Sequence, residues 1–86
     1  MSELTLYYMP TCPFCQKVLS YMKKHDIEIP LKDTMSNRSY LQELLKIGGK
    51  TQVPCLIIDG KPLYESDDII AWLKENLKPS NQPWNP

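Results

Sequence analysis

The sequence predicts a single α/β domain with the element order β-α-β-α-β-β-α, a four-stranded mixed sheet flanked by three helices. Three observations lead there. An opening strand is followed by a helix and a second strand, a unit that makes its two strands parallel. Asp59-Gly60 sits between two β-rich runs and marks a hairpin, which makes the later strands antiparallel. A capped amphipathic segment then supplies the last helix, and a chain of 86 residues has room for one core and one site.

Each element has its own local signal. Leu4-Thr5-Leu6-Tyr7-Tyr8 alternates and is rich in β-formers, which predicts a first strand ending just before a pair of cysteines. From Pro13 onward the apolar positions Phe14, Val18, Tyr21 and Met22 recur at helical spacing. Pro13 suits the first helical turn, where its missing N–H costs nothing, and Cys12 falls at that helix's N-terminus. Ile27 to Leu31 predict a short second strand. Ser36 or Asn37 can cap a second helix whose Leu41, Leu44 and Leu45 face the core, and Gly48-Gly49 ends it. Val53 to Ile58 is an almost unbroken apolar run, as expected of a strand covered on both faces. The hairpin leads into Pro62-Leu63-Tyr64, a short strand assigned to an edge. Ser66, followed by Asp67-Asp68, is a good cap for a last helix through Ile69, Ile70, Leu73 and Leu77, stopped by Pro79. Residues 1–78 thus form the domain, and 79–86 a proline- and asparagine-rich tail from which Trp84 can dock back.

Ten basic and ten acidic side chains cancel to a formal charge of zero. No cluster of Lys and Arg is long enough to follow a phosphate backbone, so nucleic acid is not an expected partner. No stretch reaches the roughly 18 apolar residues of a membrane span, and Met1-Ser2-Glu3 lacks the basic and apolar regions of a signal peptide, which favours the cytoplasm. Three cysteines are an odd and sparse set, so the disulfide framework of a secreted scaffold is the weaker reading. No apolar stripe stands out beyond those assigned to the core, and a monomer is expected.

The chemistry concentrates in "TCPFCQK", Thr11 to Lys17. Two cysteines three positions apart around a proline can grip a metal, staple a fold or exchange electrons with other thiols. In a reducing compartment the catalytic and metal-binding uses outrank the structural one. A cysteine at a helix N-terminus feels the positive end of the dipole and unpaired backbone N–H groups, which favour thiolate and can lower its pKa from about 8.5 to roughly 3.5–7.5. Cys12 is therefore the expected nucleophile. Cys15 lies one turn later on the same face, within disulfide reach, and is the expected resolving thiol.

Cys12-Pro13-Phe14-Cys15 after the first strand, Val53-Pro54 before the third and Ser66-Asp67-Asp68 at the last helix together resemble the glutaredoxins, from about Leu4 to about Leu77. The resemblance implies a thioredoxin-like fold and a glutathione-dependent thiol-disulfide oxidoreductase that reduces protein disulfides and glutathione mixed disulfides through a Cys12/Cys15 dithiol. Its implied partners are glutathione, as co-substrate, and disulfide-containing or glutathionylated proteins, with no metal. It also implies a cis Pro54 facing the cysteines and a Val53 backbone free to pair with the cysteinyl part of glutathione. The γ-glutamyl carboxylate would sit at the N-terminus of the last helix, by Ser66 and Asp67, where backbone N–H groups favour an anion. Gln52 stands where the family most often has threonine, and Phe14 where it has tyrosine, keeping the ring against the ligand. Met9 stands where many glutaredoxins have a lysine for the glycyl carboxylate, with Lys17 or Lys50 as substitutes. Tyr64-Glu65-Ser66 replaces the common Gly-Gly. "VPCLIIDGKPLYES" is instead similar to the glutathione transferase N-terminal domain, in which Glu-Ser holds the γ-glutamyl group, and so adds Glu65.

Plainer readings stand beside these. Cys55 in a buried strand reads as a small hydrophobe, His25 as a partner of its helix's C-terminal dipole, and Phe14 alternatively as a core residue. A zinc site from Cys12, Cys15, Cys55 and His25 would have one close ligand pair where two are usual. The alternative function is an iron-sulfur carrier, with a cluster bridging two chains through Cys12 and two glutathiones; Pro13 argues against it. Conjugating glutathione transferases carry a second, all-helical domain, and this chain ends soon after its last helix, so that role is not expected of it alone.

Overall fold

The computed structural model describes residues 3–77. Seven elements follow in the expected order: β1 (Leu4–Tyr8), α1 (Pro13–Lys24), β2 (Leu31–Asp33), α2 (Arg38–Gly48), β3 (Cys55–Ile58), β4 (Lys61–Tyr64) and α3 (Ser66–Asn76). The strands form one sheet in the order β2-β1-β3-β4. β1 runs parallel to β2, with Leu6 opposite Leu31, and antiparallel to β3, with Leu6 opposite Leu56. β3 and β4 are antiparallel around Asp59 (φ 50°) and Gly60 (φ 84°), the left-handed pair that a two-residue hairpin requires.

The pleat sorts the side chains into two cores. Leu6 and Leu56 point to one face, where they bury with Val18 and Met22 of α1 and Ile69 and Leu73 of α3. Tyr7, Cys55 and Ile57 point to the other, against Leu44 of α2. A polar brace also ties α2 to the sheet. The Tyr7 hydroxyl donates to Glu43 Oε1 at 2.8 Å, Lys32 Nζ donates to the same oxygen at 2.8 Å, and the ammonium lies 5.5 Å and 5.2 Å from the Tyr7 and Tyr40 ring centroids. Hydrogen bonds from Lys32 and then Tyr7 hold the Glu43 carboxyl below its ordinary pKa.

Three boundaries and one buried face differ from the sequence expectation. The second strand is Leu31–Asp33 rather than Ile27 to Leu31. Asp26 (φ 54°) reverses the chain after α1, the Ile27 N–H donates to the Met22 carbonyl at 2.9 Å, and Ile27 drops into the core. Pro30 accepts from Leu6 N–H but has no N–H of its own for the ladder, so continuous pairing starts at Leu31. The third strand is Cys55–Ile58 rather than Val53 to Ile58, because the Val53-Pro54 peptide is cis and Pro54 donates nothing. Leu45 is 50% exposed while Leu44 is fully buried. Adjacent helical residues lie about 100° apart, and α2 meets the sheet with one stripe only. Finally, Glu65, not Ser66, caps α3: Glu65 (φ 74°) turns the chain, its carbonyl accepts from Ile69 N–H at 3.0 Å, and Ser66 is the buried first helical residue. Asn37, one of two expected caps, does cap α2, accepting from Ser39 N–H at 2.9 Å, and Gly49 (φ 79°) closes it. The stop at Pro79, the tail and Trp84 lie outside the described residues.

Gly48 ends α2 against β4. A Cβ there would lie 1.9 Å from the Tyr64 Oη and 3.6 Å from Pro62 Cβ. The Tyr64 hydroxyl is itself buried with no hydrogen-bond partner. Gly48→Ala is therefore expected to destabilise the protein by about 1–3 kcal/mol in urea denaturation. Adding Tyr64→Phe, which removes the clashing and unsatisfied oxygen, should recover most of that loss. A double variant no more stable than Gly48→Ala alone would show that the hydroxyl is not the obstacle.

Candidate functional site

The end of β1 delivers the chain to the two cysteines. A tight turn returns Cys12 N–H to the Met9 carbonyl at 3.1 Å, and the Gln16 side chain ties the loop by donating to the Pro10 carbonyl at 2.7 Å. Cys12 is the N-cap of α1 in extended conformation (φ −88°, ψ 120°), its carbonyl accepts from Gln16 N–H, and Pro13 opens the helix. The helix start therefore falls where the proline and the apolar spacing place it.

The two thiols are both free, and their surroundings are opposite. Cys12 is half-buried. Burial pulls its pKa upward, but the backbone N–H groups of Cys15 and Phe14 and the Cys15 thiol outweigh that, and the net direction is down. No capping hydrogen bond closes on the Cys12 side chain, so the effect is the electrostatic pull of nearby donors at the positive helix end. Cys15 is fully buried beneath it, and Met9 N–H donates to its Sγ at 3.4 Å. Burial pushes the Cys15 thiol up to about 12, with the Cys12 sulfur adding to the rise. Cys55, fully buried on the other face of the sheet, is likewise pushed up to about 11 by burial. Cys12 is thus the thiol most easily ionised. Iodoacetamide is expected to label Cys12 first, with a rate that rises through a midpoint below the ordinary thiol value of about 8.5. Comparable labelling of Cys55 in the folded protein, read by mass spectrometry, would contradict this order.

Beside the cysteines lies a cavity of about 540 Å3. Three separate segments meet in its wall. α1 contributes Phe14 and Lys17, the loop before β3 contributes Gln52, Val53 and Pro54, and the start of α3 contributes Glu65, Ser66, Asp67 and Asp68. All seven residues expected to contact a ligand are therefore brought together. Phe14 is 62% exposed, so the core alternative for it does not hold. Neither cysteine belongs to the wall; Phe14, two residues after Cys12, connects them to it. Lys17 donates to Asp67 Oδ1, and Gln52 Nε2 donates to Glu65 Oε2 at 3.2 Å. Lys50 instead stacks over the Tyr64 ring, 4.3 Å from its centroid.

Two features were less legible in sequence. Lys17 shares the Phe14 face at i+3, a spacing that announces it, but its partner Asp67 is fifty residues away. Asp68 reads only as a first-turn acid. Among the described residues no group of three or more His, Cys, Asp or Glu side chains could hold a metal ion. No helix among them is long and apolar enough to cross a membrane.

The family model of the glutathione S-transferase N-terminal domain matches residues 6–81. Glutaredoxin 3 of Escherichia coli K12 is 27% identical over 74 residues, covering 83% of this chain and 86% of that protein. An uncharacterised glutaredoxin-like 8.6 kDa protein of the Clostridium pasteurianum rubredoxin operon is 35% identical over 60 residues, covering 66% of this chain and 76% of that one. The crystal structure of the holo form of glutaredoxin C1 from Populus tremula x tremuloides superposes with a TM-score of 0.65, covering 86% of this chain and 76% of that chain. At 17% identity, that likeness speaks for the thioredoxin-like fold alone.

Proposed function

This chain belongs to the glutathione S-transferase N-terminal-domain family and is a glutaredoxin homologue, and from that footing we propose that it reduces glutathione mixed disulfides and protein disulfides through the Cys12/Cys15 dithiol. The single observation that carries this reading is the pairing of a half-buried, acidified Cys12 with a fully buried, hard-to-ionise Cys15 at the same helix start. One thiol is prepared to attack and the other is held in reserve.

The steps follow from that asymmetry. Cys12 thiolate attacks the glutathionyl sulfur of a mixed disulfide, forming a Cys12–glutathione disulfide and releasing the substrate thiolate. A second glutathione thiolate attacks the glutathionyl sulfur, gives glutathione disulfide and returns Cys12 as thiolate. With a protein disulfide, Cys12 forms a mixed disulfide with one protein sulfur and releases the other as thiolate. Cys15, having lost its proton, then attacks Cys12 Sγ and releases the second protein thiolate. The resulting Cys12–Cys15 disulfide is reduced by two glutathiones. Loss of the Cys12 charge in the mixed disulfide removes one cause of the high Cys15 pKa at the moment that Cys15 must ionise.

The cavity wall supplies the glutathione contacts in this reading. The Val53 backbone pairs with the cysteinyl unit, and the cis Pro54 shapes the floor. The γ-glutamyl carboxylate meets the N-terminus of α3 at Ser66, and its ammonium meets Asp67 and Glu65. Lys17 already neutralises Asp67, so that ammonium competes with Lys17 for the carboxylate. The Phe14 ring covers the ligand and Gln52 steadies Glu65. In this reading the protein works as a monomer in the cytoplasm, with glutathione as its co-substrate. Turnover of a small glutathione mixed disulfide, with glutathione, NADPH and glutathione reductase, tests the proposal; a folded, reduced protein that gives none would overturn it.

A further inference from the structure

One ion pair crosses the cavity wall. Lys17 lies on α1 one turn after Phe14, Asp67 lies in the first turn of α3, and the Lys17 ammonium is in direct contact with Asp67 Oδ1. The two side chains are 53% and 80% exposed, and a pair so open to water adds little to stability. The helices do not depend on it, because Val18 and Met22 of α1 already pack with Ile69 and Leu73 of α3 in the core. The contact therefore opens at small cost. Among the described residues Lys17 is also the one cation in the wall, beside the carboxylates of Glu65, Asp67 and Asp68. Lys50 is engaged elsewhere: its ammonium lies 4.3 Å from the centroid of the Tyr64 ring, which packs with the core under α2.

The γ-glutamyl end of glutathione carries its ammonium and its carboxylate on one carbon, about 3 Å apart. When the ammonium takes Asp67, its covalent bonds bring the carboxylate beside the Lys17 ammonium, which was in contact with that same Asp67. A ligand with an ammonium alone would displace Lys17 and leave it without a partner. A zwitterion displaces Lys17 and offers it a new partner in the same step, so one ion pair becomes two. Resting on the glutathione reading above, we infer that Lys17 is a specificity-determining residue: it takes the γ-glutamyl carboxylate as the ligand's ammonium takes Asp67, and the pair thereby selects an α-amino acid end over a plain amine. The N–H groups at the start of α3 share that carboxylate, but they attract any anion. This gives Lys17 to the γ-glutamyl carboxylate rather than to the glycyl one.

The probes are S-methylglutathione, which cannot exchange with disulfides, and its analogue with 4-aminobutyryl in place of γ-glutamyl, which keeps the ammonium and lacks only that carboxylate. Both are titrated by NMR into the full chain and into Lys17→Met, which removes the charge and keeps an unbranched side chain. The unaltered chain is expected to bind S-methylglutathione about tenfold more tightly than the analogue. Lys17→Met should cut that ratio about threefold, the scale of one exposed ion pair, and Lys17→Arg should keep it. A Lys17 that only braced the helices, or that served the glycyl carboxylate present in both probes, would affect both alike. A ratio near one in the unaltered chain, or a ratio unchanged in Lys17→Met, therefore overturns the inference and leaves the glutathione site standing. Tighter binding of S-methylglutathione by Lys17→Met would overturn it too, by showing that Lys17 merely obstructs Asp67. Binding of neither probe by the folded, unaltered chain would overturn the glutathione reading itself.

Discussion

Replacing Cys12 with serine is expected to lower turnover of a glutathione mixed disulfide by at least about a thousandfold, because a hydroxyl is not ionised at neutral pH and leaves no thiolate to start the exchange. Cys15→Ser should behave differently. Its buried sulfur takes no part when the bond being broken is to glutathione, so that turnover should stay within about threefold, while reduction of a protein disulfide stalls at the mixed disulfide with Cys12. The stalled adduct is itself a readout, since intact mass of the Cys15→Ser protein mixed with a disulfide substrate should show the two chains joined. If the two serine variants lose both activities equally, the division of labour is wrong; if Cys12→Ser keeps the mixed-disulfide activity, the roles are reversed. The Cys15 variant needs a stability control, because its sulfur is fully buried and accepts the Met9 N–H.

Leu56→Ala is expected to cost about 2–5 kcal/mol, a large part of the roughly 5–15 kcal/mol that holds a domain together. Leu56 is fully buried on the central strand β3, opposite Leu6 on β1 and Leu63 on β4, at the middle of the core that α1 and α3 cover. Its neighbours are held by the sheet ladder and cannot collapse into the space left behind. Leu45→Ala, by contrast, should cost less than about 1 kcal/mol, because Leu45 is half exposed on the outer side of α2. Urea midpoints of the two variants measured side by side settle this. Equal losses would mean that the outer side of α2 is covered in solution.

That Leu44 and Leu45 differ so sharply shows where periodicity stops informing. Both fit an apolar stripe, but the width of the stripe that is buried depends on what the helix meets, and among the described residues α2 is the one helix on its side of the sheet. The strand errors have a related cause. Ile27 and Val53 are β-formers that the structure uses outside strands, one as a core plug after a left-handed Asp26 and one before a cis proline. In both places a nearby proline without an N–H decided the boundary. Glu65 is a third case: Ser66-Asp67-Asp68 has the composition of a cap, yet the turn out of β4 has to be made in one residue, and that residue, at φ 74°, became the cap.

The sequence by itself determined the order of the elements, the parallel start and antiparallel finish of the sheet, and the helix opening at Pro13 with Cys12 before it, all set by interactions within about four positions: dipeptide turns, capping, and the two periodicities of strand and helix. The residues expected around the cavity came instead from the resemblance to glutaredoxins and glutathione transferases. Only the tertiary structure decided that Cys15 is buried while Cys12 stays accessible, that Lys17 pairs with Asp67, and that Gln52 donates to Glu65 across the cavity wall. Residues 14–17, 52–54 and 65–68 meet because the β1-α1-β2 crossover and the β3–β4 hairpin place α1 and α3 on the same face of one sheet. The charge balance of a cavity built from three distant segments is a sum over space, which no local window of the chain contains.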